Sequence, residues 1–433
     1  MQIFEWIANN IFGVPAFFIG LIVALGLIFQ KSTTSKVVVG TLKAIMGFLI
    51  IDIGSGAIVA GLQVFQPLWA EVFGLEAGSM PVNFMGFDSF SAKYGSFIAI
   101  IMFAGFMVNV ILARITRFKY VYLTGHMMFW TTAIFLGIII DAKPDANMMV
   151  VIPILSILLG AYWTLQPALT QKYVKLATGT DQVALGHTVG MGAWLSGALG
   201  KYVKGKEYRS AEDIEIPDKF SFLRDSNVIT SITMAFLFVI GGVILMTKNT
   251  QAAEEILASS GSQNFIIYSI VQAIRFAGGI AVVLFGVRLF IGELVPSFKG
   301  FADKIIPGAV PAIDAPFLYS FAPNSVIFGF LGAFIGSLIW MLILGNTVGY
   351  IFVPTMIVLF FHGAAAGVLG NTTGGWRSAI FGGLIISTIV AVGQWICVMH
   401  LLPTTIPDTA SWAADTDMFI IGTIIRFITQ FFS

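Results

Sequence analysis

The region from residue 305 to residue 324 places four prolines and one carboxylate, Asp314, in an otherwise oily chain. Its sequence is IIPGAVPAIDAPFLYSFAPN. Each proline removes a backbone N–H donor and clashes with the preceding helical turn, so no continuous helix can run through the region. Unpaired backbone groups at membrane depth are tolerated only inside protein or beside a wet cavity. The region therefore predicts a broken helix or re-entrant hairpin beside a polar site, an arrangement typical of transporters.

The composition is that of a membrane protein. Hydrophobic residues make up 57% of the 433 residues and charged residues 10%, whereas soluble domains are about 45–50% apolar. The fold class is therefore predicted to be an all-α polytopic membrane protein, embedded in membrane lipids. A formal net charge of +1 provides no basic face for a nucleic-acid partner. The single cysteine, Cys397, excludes an intrachain disulfide and a cysteine-based metal site, and its apolar neighbours predict a buried thiol.

Apolar stretches of the length needed to cross a bilayer recur along the chain and predict about eleven transmembrane helices. They lie near residues 10–30, 40–63, 94–113, 120–140, 148–169, 227–247, 264–296, 325–345, 347–366, 378–400 and 416–431. The first ten residues, MQIFEWIANN, contain an acid and no basic group. The first stretch is therefore expected to be a retained span rather than a cleaved signal.

Charges alternate between successive connections. Basic residues follow odd-numbered spans, for example Lys31 after the first and Arg377 after the ninth. The other connections carry acids, and the last of them contains Asp408, Asp415 and Asp417. Because basic connections remain on the cytoplasmic side, the pattern predicts an N-terminus outside and a C-terminus inside.

A strongly charged stretch divides the chain into two halves. The predicted divisions are a first repeat of five spans in residues 1–200, a cytoplasmic linker in residues 201–226, a second repeat of five spans in residues 227–400 and a final span in residues 401–433. Similar landmarks, GFLIIDIGSG from Gly47 and GVRLFIGELV from Gly286, are offset by five spans. An odd offset inverts the second repeat, and inverted repeats build substrate sites near the membrane midplane.

Asp314 is the leading candidate for a functional residue. An ionised acid at the centre of a membrane helix costs roughly 2.5–3.5 kcal/mol on insertion scales and normally faces a cavity or a partner. The prolines around it favour a binding site. The alternative is a structural ion pair with Arg275 or Arg288.

Two histidines follow glycine in irregular stretches, His126 in LTGHMMFW and His187 in GHTVGMGAWLSG. Both are expected to face one vestibule on the inner side. The alternative is that each is a hydrogen-bonded packing histidine. His362 and His400 lack such a setting and are interpreted as structural or interfacial residues.

Several other polar residues lie beside glycines. Ser55 in DIGSG and Tyr94 in KYGSF are candidate hydroxyl contacts for a polar ligand, because glycine permits close approach. Small-residue helix packing explains Ser55 equally well. The run GNTTGGWR, residues 370–377, either ends a second hairpin, with Asn371 as a donor, or forms a simple polar turn. No P-loop, GxSxG, HExxH or Rossmann pattern occurs in a supporting context, so any chemistry requires a partner.

Six motifs follow one another nearly end to end along the chain. They are GFLIIDIGSG, LTGHMMF, ALGHTVG with AWLSG, GVRLFIGELVPSF, IIPGAVPAIDAPFLYSFAPNSVIFGF and GNTTGGWR. In this order and spacing the chain resembles the membrane IIC component of the bacterial L-ascorbate phosphotransferase system, in the ascorbate and galactitol superfamily. The resemblance implies a homodimer in the bacterial inner membrane. Spans 1, 2, 6 and 7 would form a gate-like V-motif domain, and spans 3–5 and 8–10 a substrate-binding core that moves as an elevator.

The resemblance also implies a role as the membrane subunit of a sugar phosphotransferase. Imported L-ascorbate would be phosphorylated on the inner face by a separate soluble IIB protein that carries a cysteinyl phosphate. That partner supplies the phosphoryl group, so neither a cofactor nor a metal ion is expected.

The ligand contacts implied by the resemblance are Ser55, Tyr94, His126, His187 and Asp314. Asp314 or His187 would be the base for the attacking hydroxyl. The family commonly has glutamine four residues after the first histidine and directly after the second, where this chain has Trp130 and Thr188. Trp130 is expected to stack on a ring face, and Thr188 to bond a hydroxyl.

Other functions stay open from the sequence. Trp130 and Thr188 motivate the same mechanism with a pentitol, a hexitol or a related sugar acid as the substrate. An ion-coupled secondary transporter would instead use Asp314 and the histidines as a proton relay, without phosphate. A structural or channel-like membrane protein fits the paired hairpin signatures poorly.

Overall fold

The structure, a computed structural model, describes residues 15–72, 74, 81, 83–205, 207–214, 226–304, 306–350, 352 and 356–429. Its helices are α1 (Pro15–Phe29), α2 (Thr34–Val72), α3 (Phe87–Ile115), α4 (Gly125–Ala142), α5 (Met148–Thr178), α6 (Gly190–Val203), α7 (Ser226–Leu245), α8 (Gln251–Ala258), α9 (Phe265–Lys304), α10 (Pro323–Val348), α11 (Met356–Ile396), α12 (Pro407–Ala413) and α13 (Thr416–Thr429). Short 3-10 helices span Ala211–Asp213 and Ala315–Ser320, and the π-helical turn Cys397–Leu401 follows α11. Cys397 is buried, as predicted. The expected N-terminal span begins in residues that lie outside the described part.

Five of the described helices are long and apolar enough to cross a membrane, which confirms the predicted class of polytopic membrane protein. Their apolar spans are Lys93–Ile115, Gly125–Ala142, Met148–Thr178, Pro323–Val348 and Val358–Leu401. The total number of spans, their orientation and the inverted repeat stay predictions.

The last of these spans reverses direction at Gly375. The φ of 68° and ψ of −160° at this residue are not helical. A Cβ placed on Gly382 would lie 2.8 Å from the carbonyl oxygen of Ala366, whereas 16 residues of straight helix would separate these positions by about 24 Å. The run GNTTGGWR therefore forms the turn of a helical hairpin. Its two limbs correspond to the predicted spans at residues 347–366 and 378–400.

The helices pack in two groups. In the first group, α2 runs along α9, and α1 and α7 pack against them. In the second group, α10 packs on α11, α11 on α6, α3 on α5, and α4 on α13. Contacts between the groups are sparser within the described residues, and the 3-10 helix Ala315–Ser320 makes several of them with α9.

A three-stranded parallel sheet lies among the helices, so the all-α prediction is wrong at this point. The strands are β1 (Tyr120–Tyr122), β2 (Ala184–Leu185) and β3 (Val310–Ile313), in the order β1-β3-β2. The central strand β3 belongs to the proline-rich region, where the predicted break in the helix is confirmed. Pro311 pairs in register with Val121. The N–H group that a proline lacks would point towards β2 at this position. Because β2 begins only opposite Ala312, one residue further on, the sheet needs no donor from Pro311.

Part of the predicted linker is bound to the second half of the chain. The carboxylate of Glu212 accepts hydrogen bonds from the backbone N–H groups of Asn324 and Ser325, at 3.1 and 2.8 Å, and so caps the start of α10. The side chain of Asn371, in the hairpin turn, accepts from the Ala211 N–H at 2.8 Å and donates to the Ser210 hydroxyl at 2.9 Å. Residues 207–214 therefore act as a strap that joins α10 to the hairpin of α11.

The hairpin turn leads to a stability prediction. A Cβ on Gly375 would clash with the backbone oxygen of Arg209, and the residue lies in a backbone region that only glycine enters readily. Gly375→Ala is therefore expected to lower the free energy of unfolding by roughly 3 kcal/mol or more. The matched control is Gly179→Ala at the end of α5, where φ is also positive but no atom lies within 4 Å; left-handed strain alone costs about 1–2 kcal/mol there. Thermal unfolding in detergent measures both, and equal shifts would contradict the close packing at Gly375.

Candidate functional site

The three parallel strands bring three candidate side chains to one edge of the sheet. Asp314 directly follows β3, His187 lies two residues after β2, and His126 lies four residues after β1. Because parallel strands end on the same side, their carboxyl ends form the usual place for a ligand in sheets of this kind. Two helices also begin here, α4 at Gly125 and α6 at Gly190. The three short strands therefore bring together residues that are far apart in the sequence.

Asp314 lies between two imidazole rings. Its carboxylate oxygens are 3.7 Å from Nε2 of His126 and 3.6 Å from Nε2 of His187. The side chain of His126 is 32% exposed, that of Asp314 13% and that of His187 5%, so the cluster opens on the His126 side. The alternative partners considered from sequence, Arg275 and Arg288, are both exposed, and the recorded ion-pair contacts of Asp314 are with imidazoles.

The sheet is held in place by side chains that satisfy its edges. Leu123 N–H donates to the Ala312 carbonyl and Gly186 N–H to the Ile313 carbonyl, both at 2.8 Å, so pairing continues beyond the strands. On the outer side of β1, buried Asn109 accepts from the Tyr122 N–H at 3.0 Å and donates to the Tyr120 carbonyl at 3.1 Å. On the other edge, Gln171 donates to the Val183 carbonyl at 3.1 Å. An unpaired strand edge inside a membrane protein would be costly, and these amides remove that cost.

The hydrogen bonds of His187 fix which ring nitrogen carries its proton. Its Nδ1 accepts the backbone N–H of Val189 at 3.1 Å. A neutral imidazole has one donor and one acceptor nitrogen, so Nε2 carries the proton and faces Asp314. Asp314 is itself fixed, because its Oδ1 accepts the N–H of Ala315 at 2.7 Å and begins the 3-10 helix. The cluster therefore presents a ring N–H beside an oriented carboxylate.

His187 and Asp314 lie in connections between the apolar helices, and burial shifts the pKa of each. Burial, followed by repulsion from His362 and His126, lowers the pKa of His187 well below its usual value. Burial raises the pKa of Asp314, and attraction to His126 opposes part of this shift. His187 is therefore a neutral donor near pH 7, and Asp314 is a stronger base than an exposed aspartate.

A second acid–imidazole pair lies behind the first. His362 Nε2 is 3.0 Å from Asp415 Oδ2, and the His362 ring centroid is 5.0 Å from that of His187. Asp415 also accepts a hydrogen bond from the Thr188 hydroxyl at 2.5 Å. Sequence reasoning gave His362 no place beside the candidate site. No local signal in the sequence places it there, because its partners Asp415 and His187 lie far from it along the chain.

Asp415 and Asp417, which the sequence assigned to the connection before the last span, lie at the start of α13 and are buried. Their exposures are 2% and 1%, because the start of α13 packs under the turn that carries His187. Asp417 accepts from the Met191 N–H and from the Tyr162 hydroxyl, each at 2.8 Å, and so caps the start of α6. Its own N–H donates to the Thr188 carbonyl at 2.9 Å. An Asp-Thr-Asp sequence before an apolar run is a helix-start signal, and that signal explains the burial better than a loop assignment does.

The other predicted contacts differ in how the structure places them. Tyr94 is buried in α3, and its recorded ring contacts are with Phe90 and Lys93. Trp130 lies one helical turn beyond His126, and its ring centroid is 5.4 Å from that of Phe87. Thr188 is fully buried and bonded to Asp415. The side chain of Ser55, in α2, is outside the described part, and substrate contact by any of these residues stays a prediction.

The donor set fits hydrogen bonding better than a metal ion. Among the residues that the structure describes, two triplets have potential ligand atoms within 4.8 Å of one another, namely His126, His187 and Asp314, and His187, His362 and Asp415. A neutral histidine binds a metal through a ring nitrogen that carries no proton. In His187, Nε2 carries the proton and Nδ1 accepts from Val189. Neither nitrogen is free for an ion without breaking that arrangement.

The burial of Asp417 gives a second stability prediction. Asp417→Ala leaves the Met191 N–H and the Tyr162 hydroxyl without an acceptor, and we expect a loss of roughly 2–4 kcal/mol in the free energy of unfolding. Asp181→Ala is the matched control, because Asp181 accepts a bond of similar length, 2.9 Å, from Lys175 at the surface. No measurable change is expected there. Thermal unfolding of the two purified variants is the measurement, and a small effect of Asp417→Ala would show that α6 does not depend on this cap.

Comparison with known proteins extends the motif resemblance to the whole chain. The family model of the PTS system sugar-specific permease component matches residues 10–431. The "Ascorbate-specific PTS system EIIC component" of Mycoplasma pneumoniae is 28% identical over 422 residues, covering 86% of this chain and 63% of that protein. The chain thus spans less than two-thirds of that relative's length. Since the family model runs through every part of the site just described, the protein belongs to the family of sugar-specific permease (IIC) components of the phosphotransferase system.

Proposed function

We propose that the protein is the membrane subunit of a sugar phosphotransferase that imports L-ascorbate and presents it to a phosphorylated, soluble IIB protein. The observation that carries this proposal is the position of Asp314 between His126 and His187 at the end of the sheet. A carboxylate beside ring N–H groups offers an acceptor and donors together, which suits a small polyhydroxy substrate. The ascorbate-specific name of the Mycoplasma pneumoniae relative supports this choice of substrate.

Asp314 is proposed as the general base. The substrate hydroxyl oxygen attacks phosphorus, the sulfur–phosphorus bond breaks, and the cysteine thiolate leaves on IIB. The hydroxyl proton passes to Asp314, whose raised pKa suits that task. His187 already carries a proton on Nε2 and uses Nδ1 for Val189. Of the two candidates from sequence, His187 is therefore the hydrogen-bond donor and Asp314 the base, while positioning of the two reactants provides most of the remaining rate enhancement.

Charge complementarity supports an anionic substrate. L-ascorbate is an anion near neutral pH, and the start of a helix favours negative charge. The starts of α4 and α6 lie within three residues of His126 and His187, respectively. His126, which is partly exposed at the opening, is proposed to contact the substrate first.

The two groups of helices support an elevator mechanism. We assign α1, α2, α7 and α9 to the gate-like V-motif domain, and the group that carries the cluster to the moving core. Sparse contacts between the groups would let one slide past the other. The proposed setting is a homodimer in the bacterial inner membrane, with two inverted repeats, the N-terminus outside and the C-terminus inside.

One experiment separates this function from its alternatives. Uptake of labelled L-ascorbate into membrane vesicles is measured with and without phosphorylated IIB protein, and the product is analysed for phosphate. We expect uptake only with phosphorylated IIB, and phosphorylated product inside. Uptake of free ascorbate that follows an ion gradient would indicate a secondary transporter. Preference for a pentitol or hexitol would keep the mechanism but replace the substrate.

The proposed roles lead to a prediction for two variants. Asp314→Asn removes the base, so the rate of phosphorylating uptake should fall by about 10²–10⁴-fold, while His187→Gln should weaken substrate binding as well as rate. The controls are Asp181→Asn and His400→Gln, which change the same residue types at exposed positions. Uptake rates are normalised to folded protein in the membrane. Wild-type uptake by Asp314→Asn would remove this residue from the chemistry.

A further inference from the structure

The pair formed by His362 and Asp415 is buried and has no part in the chemistry proposed above. His362 Nδ1 lies 2.8 Å from the Val358 carbonyl, and a carbonyl can only accept, so Nδ1 carries a proton. Nε2 is 3.0 Å from Asp415 Oδ2, and the two atoms are in close electrostatic contact without the geometry of a hydrogen bond. Two bare lone pairs at this distance in a buried site would repel, so one further proton lies on Nε2 or on the carboxyl group.

The pair touches the His187 turn in two places. Asp415 accepts the hydroxyl of Thr188, the residue directly after His187. The ring of His362 meets the ring of His187 edge to face, at an interplanar angle of 77°. Together with the Val189 N–H on Nδ1, these contacts leave the His187 ring little freedom to rotate or to exchange its proton between nitrogens.

We propose that His362 and Asp415 are positioning residues that hold His187 with its Nε2–H directed at Asp314, acting through the Thr188 hydroxyl and the ring contact. This inference rests on the proposed function of Asp314 and His187. It adds two residues to the machinery of the site, neither of which needs to touch the substrate.

Packing alone does not account for this pair. Burying two ionisable groups is expensive, and apolar residues of the same volume generally fill such a space at least as well. The partners of the pair are directional ones, a hydroxyl, a carbonyl and a ring edge, all beside one catalytic turn. Groups of this kind orient functional side chains, and their loss displaces those side chains by amounts that affect rates strongly.

Matched variants separate positioning from bulk structure. Thr188 and His362 both contact Oδ2 of Asp415. Asp415→Asn keeps an oxygen that can accept the Thr188 hydroxyl at this position, whereas Asp415→Ala removes it. Thr188→Ser keeps the hydroxyl, whereas Thr188→Val removes it and keeps the shape. We expect Asp415→Asn and Thr188→Ser to retain uptake near the wild-type level. We expect Asp415→Ala and Thr188→Val to lower the maximal uptake rate by about 10- to 100-fold, with His400→Gln as the unaffected control.

A spectroscopic readout tests the same idea without any substrate. The chain has four histidines, so ¹⁵N-histidine labelling of the full-length protein in lipid gives four ring signals, assigned by single substitutions. In the wild type, His187 should show a proton on Nε2 and His362 a proton on Nδ1. In Asp415→Ala and Thr188→Val, the His187 signal should become a mixture of the two protonated forms. In the two conservative variants it should not change.

Several outcomes would overturn the proposal. One is an unchanged His187 signal in Asp415→Ala together with uptake that falls only in proportion to folded protein. Another is loss of uptake in Asp415→Asn equal to that in Asp415→Ala, because hydrogen-bonded positioning predicts rescue. If Asp415→Ala does not fold, Thr188→Val carries the test. If the wild type takes up no ascorbate, the proposed function fails, and the His187 signal still decides whether the pair positions this ring.

Discussion

The need to pair every backbone N–H and C=O at membrane depth is the constraint on which the site depends. Four prolines prevent a continuous α-helix between residues 305 and 324, so much of the backbone there must find partners in another way. It does so by pairing with two other interrupted segments in a parallel sheet, with Asn109 and Gln171 covering the edges. The sheet is too small to stabilise much by itself. Its effect is to fix, within a helical protein, the point at which three chain segments end together.

The buried carboxylates near the site also have polar partners. Asp314 faces two imidazoles, Asp415 faces a third, and Asp417 is satisfied by the Met191 N–H and the Tyr162 hydroxyl. In the described part of the chain these carboxylates meet neutral or titratable donors rather than arginine or lysine. A fixed cation would hold the carboxylate charged and bonded. A neutral imidazole donor leaves Asp314 able to accept a proton, as the proposed role of general base requires.

The sequence predicted the break at the proline region, the polytopic class and the proximity of the two Gly-His motifs to Asp314, and it left GNTTGGWR open between the end of a hairpin and a polar turn. These features have strong local signals, namely proline, bilayer-length apolar runs and glycine. The sheet was missed because strands of two to four residues carry no measurable period-2 pattern. His362 and Asp415 were missed because their partners lie far away along the chain. Only the fold shows that α13 begins under α6, which buries Asp415 and Asp417.

The two residues that depart from the family pattern, Thr188 and Trp130, differ in their contacts. Thr188 stands where glutamine is common, yet its hydroxyl is committed to Asp415 and it has no exposed surface. A side chain in that position acts first on the orientation of His187 and only through it on a substrate. Trp130 is different, because it is half-buried one helical turn from the partly exposed His126. Of the two replacements, we therefore propose Trp130 as the one that changes which ring or chain the site prefers, since an aromatic face selects for shape and apolar surface where an amide would select for hydroxyl groups.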